Sequence, residues 1–227
     1  MIASLRGIRV VVSAGPTFED IDPVRFIGNR SSGKMGFAIA AAAAAREAEV
    51  VLVAGPVQRP TPQHVQRIDV RSAAQMRAAV LAALPADVYI GAAAVADYAP
   101  RSIAERKLKK TEDSDTLLLE LVRTPDILAE VAAHTPRPRL VIGFAAETHD
   151  VERYARDKLA KKKLDLIAAN RVGIPGSGFE SEDNALTVYG ADFERALGPA
   201  PKTQLADALI DLIAARLDGG SKDDPHA

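Results

Sequence analysis

Hydrophobic positions in this chain fall into short continuous blocks separated by polar turns and longer amphipathic stretches. Ile8-Arg9-Val10-Val11-Val12-Ser13, Glu49-Val50-Val51-Leu52-Val53-Ala54, Asp87-Val88-Tyr89-Ile90-Gly91-Ala92 and Leu140-Val141-Ile142-Gly143-Phe144 are the clearest. Blocks of this length, rich in β-branched residues, predict strands buried on both faces. Val65 to Val70, Leu117 to Val122, Asp165 to Ala168 and Asn184 to Tyr189 add further strands. Helical patterns lie between them. Gly33-Lys34-Met35-Gly36 opens an alanine-rich helix reaching about Glu47. Ser72 caps a helix that runs through Leu84 and is stopped by Pro85. Asp126 to His134 is a short helix entered through Pro125, and Val151 to Leu164 is a longer one. Thr203 to Leu217 carries Leu205, Leu209, Leu212 and Ile213 on one stripe.

Strand and helix alternate almost throughout. This predicts an α/β fold: a doubly wound, mostly parallel, Rossmann-like sheet with helices on both faces. No internal repeat or linker divides the chain, so residues 1–217 are expected to form one domain and 218–227 a disordered tail. Ligands in such folds sit beyond the carboxyl ends of the strands. The polar segments after the first, fourth and sixth predicted strands are therefore the places to seek chemistry.

Composition narrows the classes. The 227 residues are 48% hydrophobic and 26% charged with a net charge of -1, which argues against whole-protein attraction to nucleic acid or to an anionic membrane. There is no cysteine, which excludes disulfides, thiolate metal sites and a cysteine nucleophile and fits a cytoplasmic setting. The longest apolar stretch, Phe37 to Ala45, is too short to span a bilayer. His64, His134, His149 and His226 show no metal-ligand spacing.

Four segments carry candidate chemistry. Gly28-Asn29-Arg30-Ser31-Ser32-Gly33-Lys34-Met35 approaches the phosphate loop G-x-x-x-x-G-K-[ST], but position 35 is methionine and the loop does not follow its strand directly. A glycine-bearing turn at a helix N-terminus survives, attractive to anions through free N–H groups; a plain cap with Ser32 as N-cap is the alternative. Tyr154 and Lys158 stand one turn apart, like the catalytic pair of short-chain dehydrogenases, yet the glycine fingerprint such enzymes need after the first strand is missing. Arg156, Lys158, Lys161, Lys162 and Lys163 form a basic helix stretch in which 158 and 162 share a face; it is either a polyphosphate grip or a solvated surface. Arg101, Arg106, Lys107, Lys109 and Lys110 crowd a long polar excursion against Glu105 alone, which reads as a basic lid loop. Asp97 sits just past the fourth strand, a ligand position that a turn-forming aspartate would also occupy.

Taken together, ordered motifs point further. Ile21-Asp22-Pro23-Val24-Arg25-Phe26-Ile27-Gly28-Asn29-Arg30-Ser31-Ser32-Gly33-Lys34-Met35-Gly36, Ala92-Ala93-Ala94-Val95-Ala96-Asp97-Tyr98, Lys107-Leu108-Lys109-Lys110, Thr124-Pro125-Asp126-Ile127-Leu128, Gly143-Phe144-Ala145-Ala146-Glu147-Thr148 and Ala168-Ala169-Asn170 closely resemble the signature of bacterial phosphopantothenoylcysteine synthetases, in order from about Ile8 to Leu217. Gly28 departs from the family, whose members often carry serine there.

The resemblance implies a phosphopantothenate–cysteine ligase of coenzyme A biosynthesis. With CTP and Mg²⁺ the family forms an acyl-cytidylate and pyrophosphate, and the amine of cysteine then displaces CMP to give 4′-phosphopantothenoylcysteine. By the same resemblance, Gly91, Ala92, Ala93, Asp97, Pro125, Asp126, Ile127, Leu128 and Phe144 hold the nucleotide, while Lys107, Lys158 and Lys162 meet its triphosphate. Asn29 and Arg25 act on the phosphopantothenate end and the activated acyl group, and Ser31, Ser32 and Gly33 meet the substrate phosphate. Asn29, Lys107 and Arg25 are the catalytic candidates; no Mg²⁺ ligand is assigned. The resemblance also implies a homodimer with sites near its interface. A flavin-dependent decarboxylase that makes phosphopantetheine is expected as a fused or associated partner, this chain being either a free-standing synthetase or, the favoured reading, the excised half of a bifunctional protein. Neither nucleic acid nor membrane is an expected partner.

The chemistry suits these residues. A carboxylate is a nucleophile without help, and the α-amine of cysteine titrates near pH ~8, so part of it is already neutral. The main barrier is charge repulsion between anions, which lysines and a divalent cation relieve. Two other readings compete: a nicotinamide dehydrogenase on a similar sheet, and a non-catalytic nucleotide-sensing module, which has no evident need of a lysine-rich loop.

Overall fold

The computed structural model describes residues 4–109, 115–172 and 182–220. An eight-stranded sheet organises them. Its strands are β1 (Arg9–Ala14), β4 (Glu49–Ala54), β5 (Val65–Asp69), β6 (Val88–Gly91), β9 (Leu140–Glu147), β10 (Leu166–Arg171), β11 (Asp183–Gly190) and β12 (Phe193–Pro201). Two small antiparallel hairpins stand apart from it: β2 (Phe18–Asp20) with β3 (Phe26–Gly28), and β7 (Tyr98–Pro100) with β8 (Leu121–Arg123). The main sheet has the order β12-β11-β10-β9-β6-β1-β4-β5. The six strands from β10 to β5 are parallel, and β11 and β12 close one side as an antiparallel hairpin. The expected doubly wound, Rossmann-like arrangement is therefore present, as are the weaker strands expected near residues 65, 166 and 184.

Helices cover both faces. α1 (Lys34–Ala44) and α5 (Lys202–Gly220) lie over one, burying Phe37, Ile39, Leu205, Leu209 and Ile213 against Val10, Val12 and Leu52. α2 (Ala73–Ala82), α3 (Ile127–Ala132) and α4 (Val151–Lys162) lie over the other, where Met76, Val80, Val131 and Ala155 meet Val11, Val53, Tyr89 and Ile167. The strands carry apolar side chains on both faces for this reason. Local chemistry sets the helix starts. Ser72 accepts from the Gln75 amide while the Gln75 side chain accepts from the Ser72 amide, a full capping box for α2. Arg46, just past α1 and 6% exposed, bonds Asp207 at 3.0 Å and Asp211 at 2.7 Å, tying α1 to α5.

Several boundaries differ from the sequence reading. Residues 117–122 were expected as one strand, but only Leu121–Arg123 pair, in the small β7–β8 sheet, and Leu118 stays 96% exposed. A hydrophobic run without a core face to cover cannot extend the main sheet. The loop around Pro23 contains the β2–β3 hairpin, and β12 follows β11 through a turn; both were missed because their strands mix glycine, proline and charge. Helix α5 continues to Gly220, so residues 218–220 of the expected disordered tail are helical. The remainder of that tail, 221–227, lies outside the described residues.

Gly36 fixes how closely α1 approaches the sheet. A Cβ there would lie 2.4 Å from the Cβ of Ala14 and 3.5 Å from that of Ala92. Gly36→Val is expected to push α1 off the end of β1, costing roughly 1–3 kcal/mol as other overpacked sites do. A urea denaturation midpoint equal to that of the unsubstituted protein would contradict this packing account.

Candidate active site

Strand order reverses between β1 and β6, and the loops leaving these two strands run side by side. Ser13 O accepts from the Ala92 amide at 3.0 Å, Gly15 O from the Ala94 amide at 2.9 Å, and Ala94 O from the Thr17 amide at 3.4 Å. The Ala96 amide donates to Thr17 Oγ1 at 3.0 Å. Such a reversal in an open α/β sheet leaves a crevice beyond the carboxyl ends of the strands. Here it holds two adjoining cavities.

The first cavity, about 490 Å³, is lined by Gly91, Ala93, Asp97, Pro125, Asp126, Ile127, Leu128, Phe144, Lys158 and Lys162 among the sequence-predicted residues. Its walls also include Ser13 and Tyr89, which sequence reasoning missed. Tyr89 is 1% exposed and its hydroxyl lies 3.1 Å from Ser13 Oγ; burial pushes that hydroxyl up to about 12, so it stays neutral. The second cavity, about 340 Å³, is lined by Asn29, Ser31, Ser32, Gly33 and Ala92 of the predicted set, with Lys34, Glu147, Asn170, Asn184 and Lys202 besides. Ala93, Val95, Asp97, Phe144 and Lys158 line both cavities and form the wall between them.

Lys158, Lys162 and Arg123 face Asp97 and Asp126 in the first cavity, and Lys158 and Asp97 are the charged residues of the shared wall. Lys158 Nζ donates to Phe144 O at 2.9 Å, and Lys162 Nζ pairs with Asp126 Oδ2 at 2.7 Å. Burial and the neighbouring Lys162 lower the proton affinity of Lys158, while Glu147, Asp126 and Asp97 oppose that. Burial raises the Asp126 carboxyl, but Lys162 and the Ala129 amide outweigh it and hold the group below its ordinary value. Asp126 is thus both N-cap of α3 and counter-ion of Lys162. The shared face expected for positions 158 and 162 is present. Tyr154 lines neither cavity and packs edge-on against His149, so the dehydrogenase-like pair does not share a site.

The turn before α1 differs from one expectation. Its N-cap is Gly33 in the left-handed region (φ 71°), with no side-chain capping bond, so Ser32 is not the cap. A residue with a Cβ at that φ would be strained, and glycine lets the first helical turn face the second cavity. Asn29 Nδ2 donates to Val95 O at 3.0 Å and reaches Ala94 O at 3.5 Å, linking this turn to the shared wall.

Two catalytic candidates lie elsewhere. Lys107 is exposed on the basic excursion and lines neither cavity. Arg25, on the turn between β2 and β3, pairs with Asp22 at 2.5 Å and donates to Leu108 O at 2.8 Å. Asp22, 1% exposed, also accepts from the amides of Val24 (2.8 Å), Arg25 (2.9 Å) and Leu108 (3.0 Å). The base of the excursion is therefore bound to the β2–β3 hairpin, and Ala104 N donates to Ile21 O at 3.0 Å. Lys110 lies outside the described residues. The missed wall residues had uneven signals. Asn170 and Lys34 stood inside quoted motifs without a role, whereas Lys202 and Tyr89 had none.

No group of three or more His, Asp or Glu able to hold a metal occurs among the described residues. Mg²⁺ usually rides on phosphate oxygens with one or two carboxylates, and Asp97 on the shared wall fits that partial role. Among the described residues no helix is long and apolar enough to cross a membrane.

The family described as DNA/pantothenate metabolism flavoprotein C-terminal domain matches residues 5–217. The coenzyme A biosynthesis bifunctional protein CoaBC of Vibrio cholerae serotype O1 is 53% identical over 210 residues, 92% of this chain and 53% of that protein. The chain thus spans about half the length of the curated relatives it matches. A crystal structure of the C-terminal domain of CoaBC superposes with a TM-score of 0.81 at 38% identity, covering 96% of this chain and 100% of that one. A Cab2 mutant in complex with phosphopantothenate-cysteine gives 0.75 at 15% identity over 96% and 89% of the two chains, a likeness of fold.

The ionised Asp22 clamp is open to test. Arg25 holds its carboxyl well below the usual carboxylate range, against the opposing effect of burial. Because the folded value is depressed, the clamp contributes in full above the unfolded value of ~3.9 and is lost as pH falls through the folded one. Asp22→Ala is expected to speed amide exchange at Leu108 roughly tenfold or more, while in the parent protein protection persists from pH 7 to about 4. Unchanged exchange in the variant would show that other contacts hold the excursion.

Proposed function

The chain belongs to the family of DNA/pantothenate metabolism flavoprotein C-terminal domains, and from that premise we propose that it is a phosphopantothenate–cysteine ligase of coenzyme A biosynthesis. One observation carries the reading. A cavity of nucleotide size and a second polar cavity share a wall holding Lys158, Asp97 and Phe144. A ligase that activates one substrate with another needs such a junction. The descriptions of the CoaBC relatives and the molecule bound to the Cab2 mutant support the choice of substrates.

In this reading CTP occupies the first cavity and 4′-phosphopantothenate the second. The triphosphate lies along Lys158 and Lys162, which offset its charge. The substrate carboxylate attacks the α-phosphorus at the shared wall. Its oxygen forms the new P–O bond, pyrophosphate leaves with the electron pair, and an acyl-cytidylate results. The amine of cysteine then adds to the acyl carbon, CMP departs with the electron pair of the broken C–O bond, and the surplus proton on the attacking nitrogen is lost to solvent. Asn29 donates to the acyl oxygen as charge builds there. Mg²⁺, held by phosphate oxygens and Asp97, would supply further charge neutralisation. Cytosine selection rests on the family resemblance alone.

The partner reading follows from surface chemistry. Val24, Phe26, Tyr98, Ile103, Leu117, Leu118 and Leu121 are the exposed large hydrophobics among the described residues, and all lie on the two small hairpins or the excursion between them. An apolar flank of this kind suits a homodimer, and it would bring Lys107 and Arg25 toward a site. A flavin-dependent decarboxylase remains the proposed functional partner, supported by the bifunctional description of the relatives.

The deciding experiment measures pyrophosphate release that depends on phosphopantothenate, with CTP and with ATP. CTP is expected to be preferred, and equal or better turnover with ATP would overturn the nucleotide assignment. Lys107→Gln should slow the first step by ~10²–10³, the usual worth of one electrostatic donor, with thermal stability unchanged. Normal pyrophosphate release by that variant would remove Lys107 from the mechanism. Leu118→Lys is expected to sediment as a monomer where the parent protein is a dimer; a parent protein already monomeric at micromolar concentration rules the dimer out.

A further inference from the structure

The first cavity has a floor that its lysines do not reach. Ser13, on β1, is 2% exposed and Tyr89, on β6, is 1% exposed, yet both line this cavity and not the second. Parallel pairing sets Val11 opposite Tyr89 and Ser13 opposite Gly91. Val11 and Tyr89 pack together on the sheet face covered by α2, α3 and α4, and strand periodicity puts Ser13 on the same face. The two side-chain oxygens stand 3.1 Å apart. Gly91 holds the tyrosine ring in place: a Cβ there would lie 3.5 Å from Tyr89 Cε1, 3.6 Å from its hydroxyl and 3.1 Å from Leu128 Cδ1. The Tyr89 hydroxyl therefore rests against bare main chain at the end of its own strand.

The hydrogen bonds of this pair do not close. Two hydroxyls carry two protons, and the bond between them uses one. Whichever oxygen donates, the other proton has no acceptor on the protein among the described residues. Burial keeps Tyr89 protonated, so the spare donor persists. A donor shut away from water without an acceptor is costly, and folded proteins seldom leave one. Its acceptor must come from whatever fills the cavity. The charge around the floor limits what that is. Lys158 is bonded to Phe144 O and Lys162 to Asp126. The charge that bears on Tyr89 is the Asp126 carboxylate. A phosphate oxygen brought here would meet that carboxylate with only a neutral donor to offset its lost hydration. An uncharged group that both donates and accepts suits the floor better.

We propose that the Ser13–Tyr89 hydroxyl pair holds the nucleoside half of the nucleotide, through an uncharged sugar hydroxyl or base edge, while the lysines hold its phosphates. The inference rests on the ligase reading for its occupant, a nucleotide in the first cavity. The pair can reverse its internal bond, so that either oxygen presents the free proton, and it thereby adapts to the group above it. A contact to the nucleoside outlasts the departure of pyrophosphate. The same two hydroxyls therefore keep the cytidylate anchored while the amine attacks in the second step.

Calorimetry on the purified chain with CTP, CMP and pyrophosphate tests this, using Tyr89→Phe and Ser13→Ala. Each variant is expected to weaken CTP and CMP by the same factor, roughly three- to tenfold, the worth of one neutral hydrogen bond, and to leave pyrophosphate unchanged. A loss confined to CTP places the pair on the outer phosphates and overturns the proposal, as does unchanged binding of both nucleotides. Binding of 2′-deoxy-CTP, 3′-deoxy-CTP and UTP locates the contact. Discrimination against a deoxynucleotide that the variants erase assigns the sugar, and discrimination against UTP that they erase assigns the base. Variants that keep all three ratios show a merely structural pair and overturn the proposal. Should Tyr89→Phe unfold, judged by its urea midpoint, Ser13→Ala carries the decision. If the parent protein releases no pyrophosphate but its CMP binding weakens in the variants, the pair stands and the ligase reading alone fails; a parent protein that binds neither CTP nor CMP overturns the pair.

Discussion

The hydrogen-bond ladder between the loops after β1 and β6 is the constraint on which the site depends. Ser13, Gly15, Ala92, Ala94 and Thr17 exchange backbone bonds there, and Thr17 Oγ1 extends the series to the Ala96 amide. Backbones can run this close only if their side chains are small or point away, and residues 91–94 are Gly-Ala-Ala-Ala. The same smallness leaves bare main chain on the cavity walls. On the helical side Gly36 meets Ala14 and Ala92 with no room for a Cβ, so α1 enters close to the ladder. Reversal of strand order, the ladder and the seating of α1 therefore form one arrangement, and the two cavities are its consequence.

Lysines gather in the crevice although the protein is nearly neutral. The net charge is -1, but lysines 34, 158, 162 and 202 all line the crevice. Lys158 is half-buried and sits beside Lys162, and both effects weaken its hold on a proton. Lys162 is restrained by Asp126, which also caps α3, so the helix end and the lysine fix each other. A bound polyanion would exchange mutual repulsion for attraction in a partly dry space, where such interactions are stronger than in water.

Much of the fold was legible because the continuous valine-rich blocks have no stable home except a sheet covered on both faces. The capping signal of Ser72 with Gln75 was equally direct. Hairpins β2–β3 and β11–β12 were harder, since pairing in a hairpin depends on partner and turn more than on composition. The site was legible unevenly for a related reason. Ordered motifs identified residues whose backbone forms the crevice, and ten of the predicted nucleotide residues do share one cavity. Lys202 had no motif around it and reaches the site only because α5 begins beside the end of β12, a fact of tertiary arrangement. Tyr89 read as one more apolar position in a strand, and only the packing shows its hydroxyl beside Ser13.

Arg25 and Lys107 appeared in the sequence as two separate candidates, 82 residues apart in different loops. Asp22 makes them parts of one element. It accepts from the Arg25 side chain and from the Leu108 amide, while Arg25 returns a bond to Leu108 O, so hairpin and excursion close on each other through a buried carboxylate. A displacement that carried Lys107 toward a triphosphate would carry Arg25 with it, unless this ionised clamp opened. The exposed apolar side chains occupy the same element. The exposed apolar side chains and Lys107 are therefore carried on one connected element, hairpin and excursion being joined at Asp22.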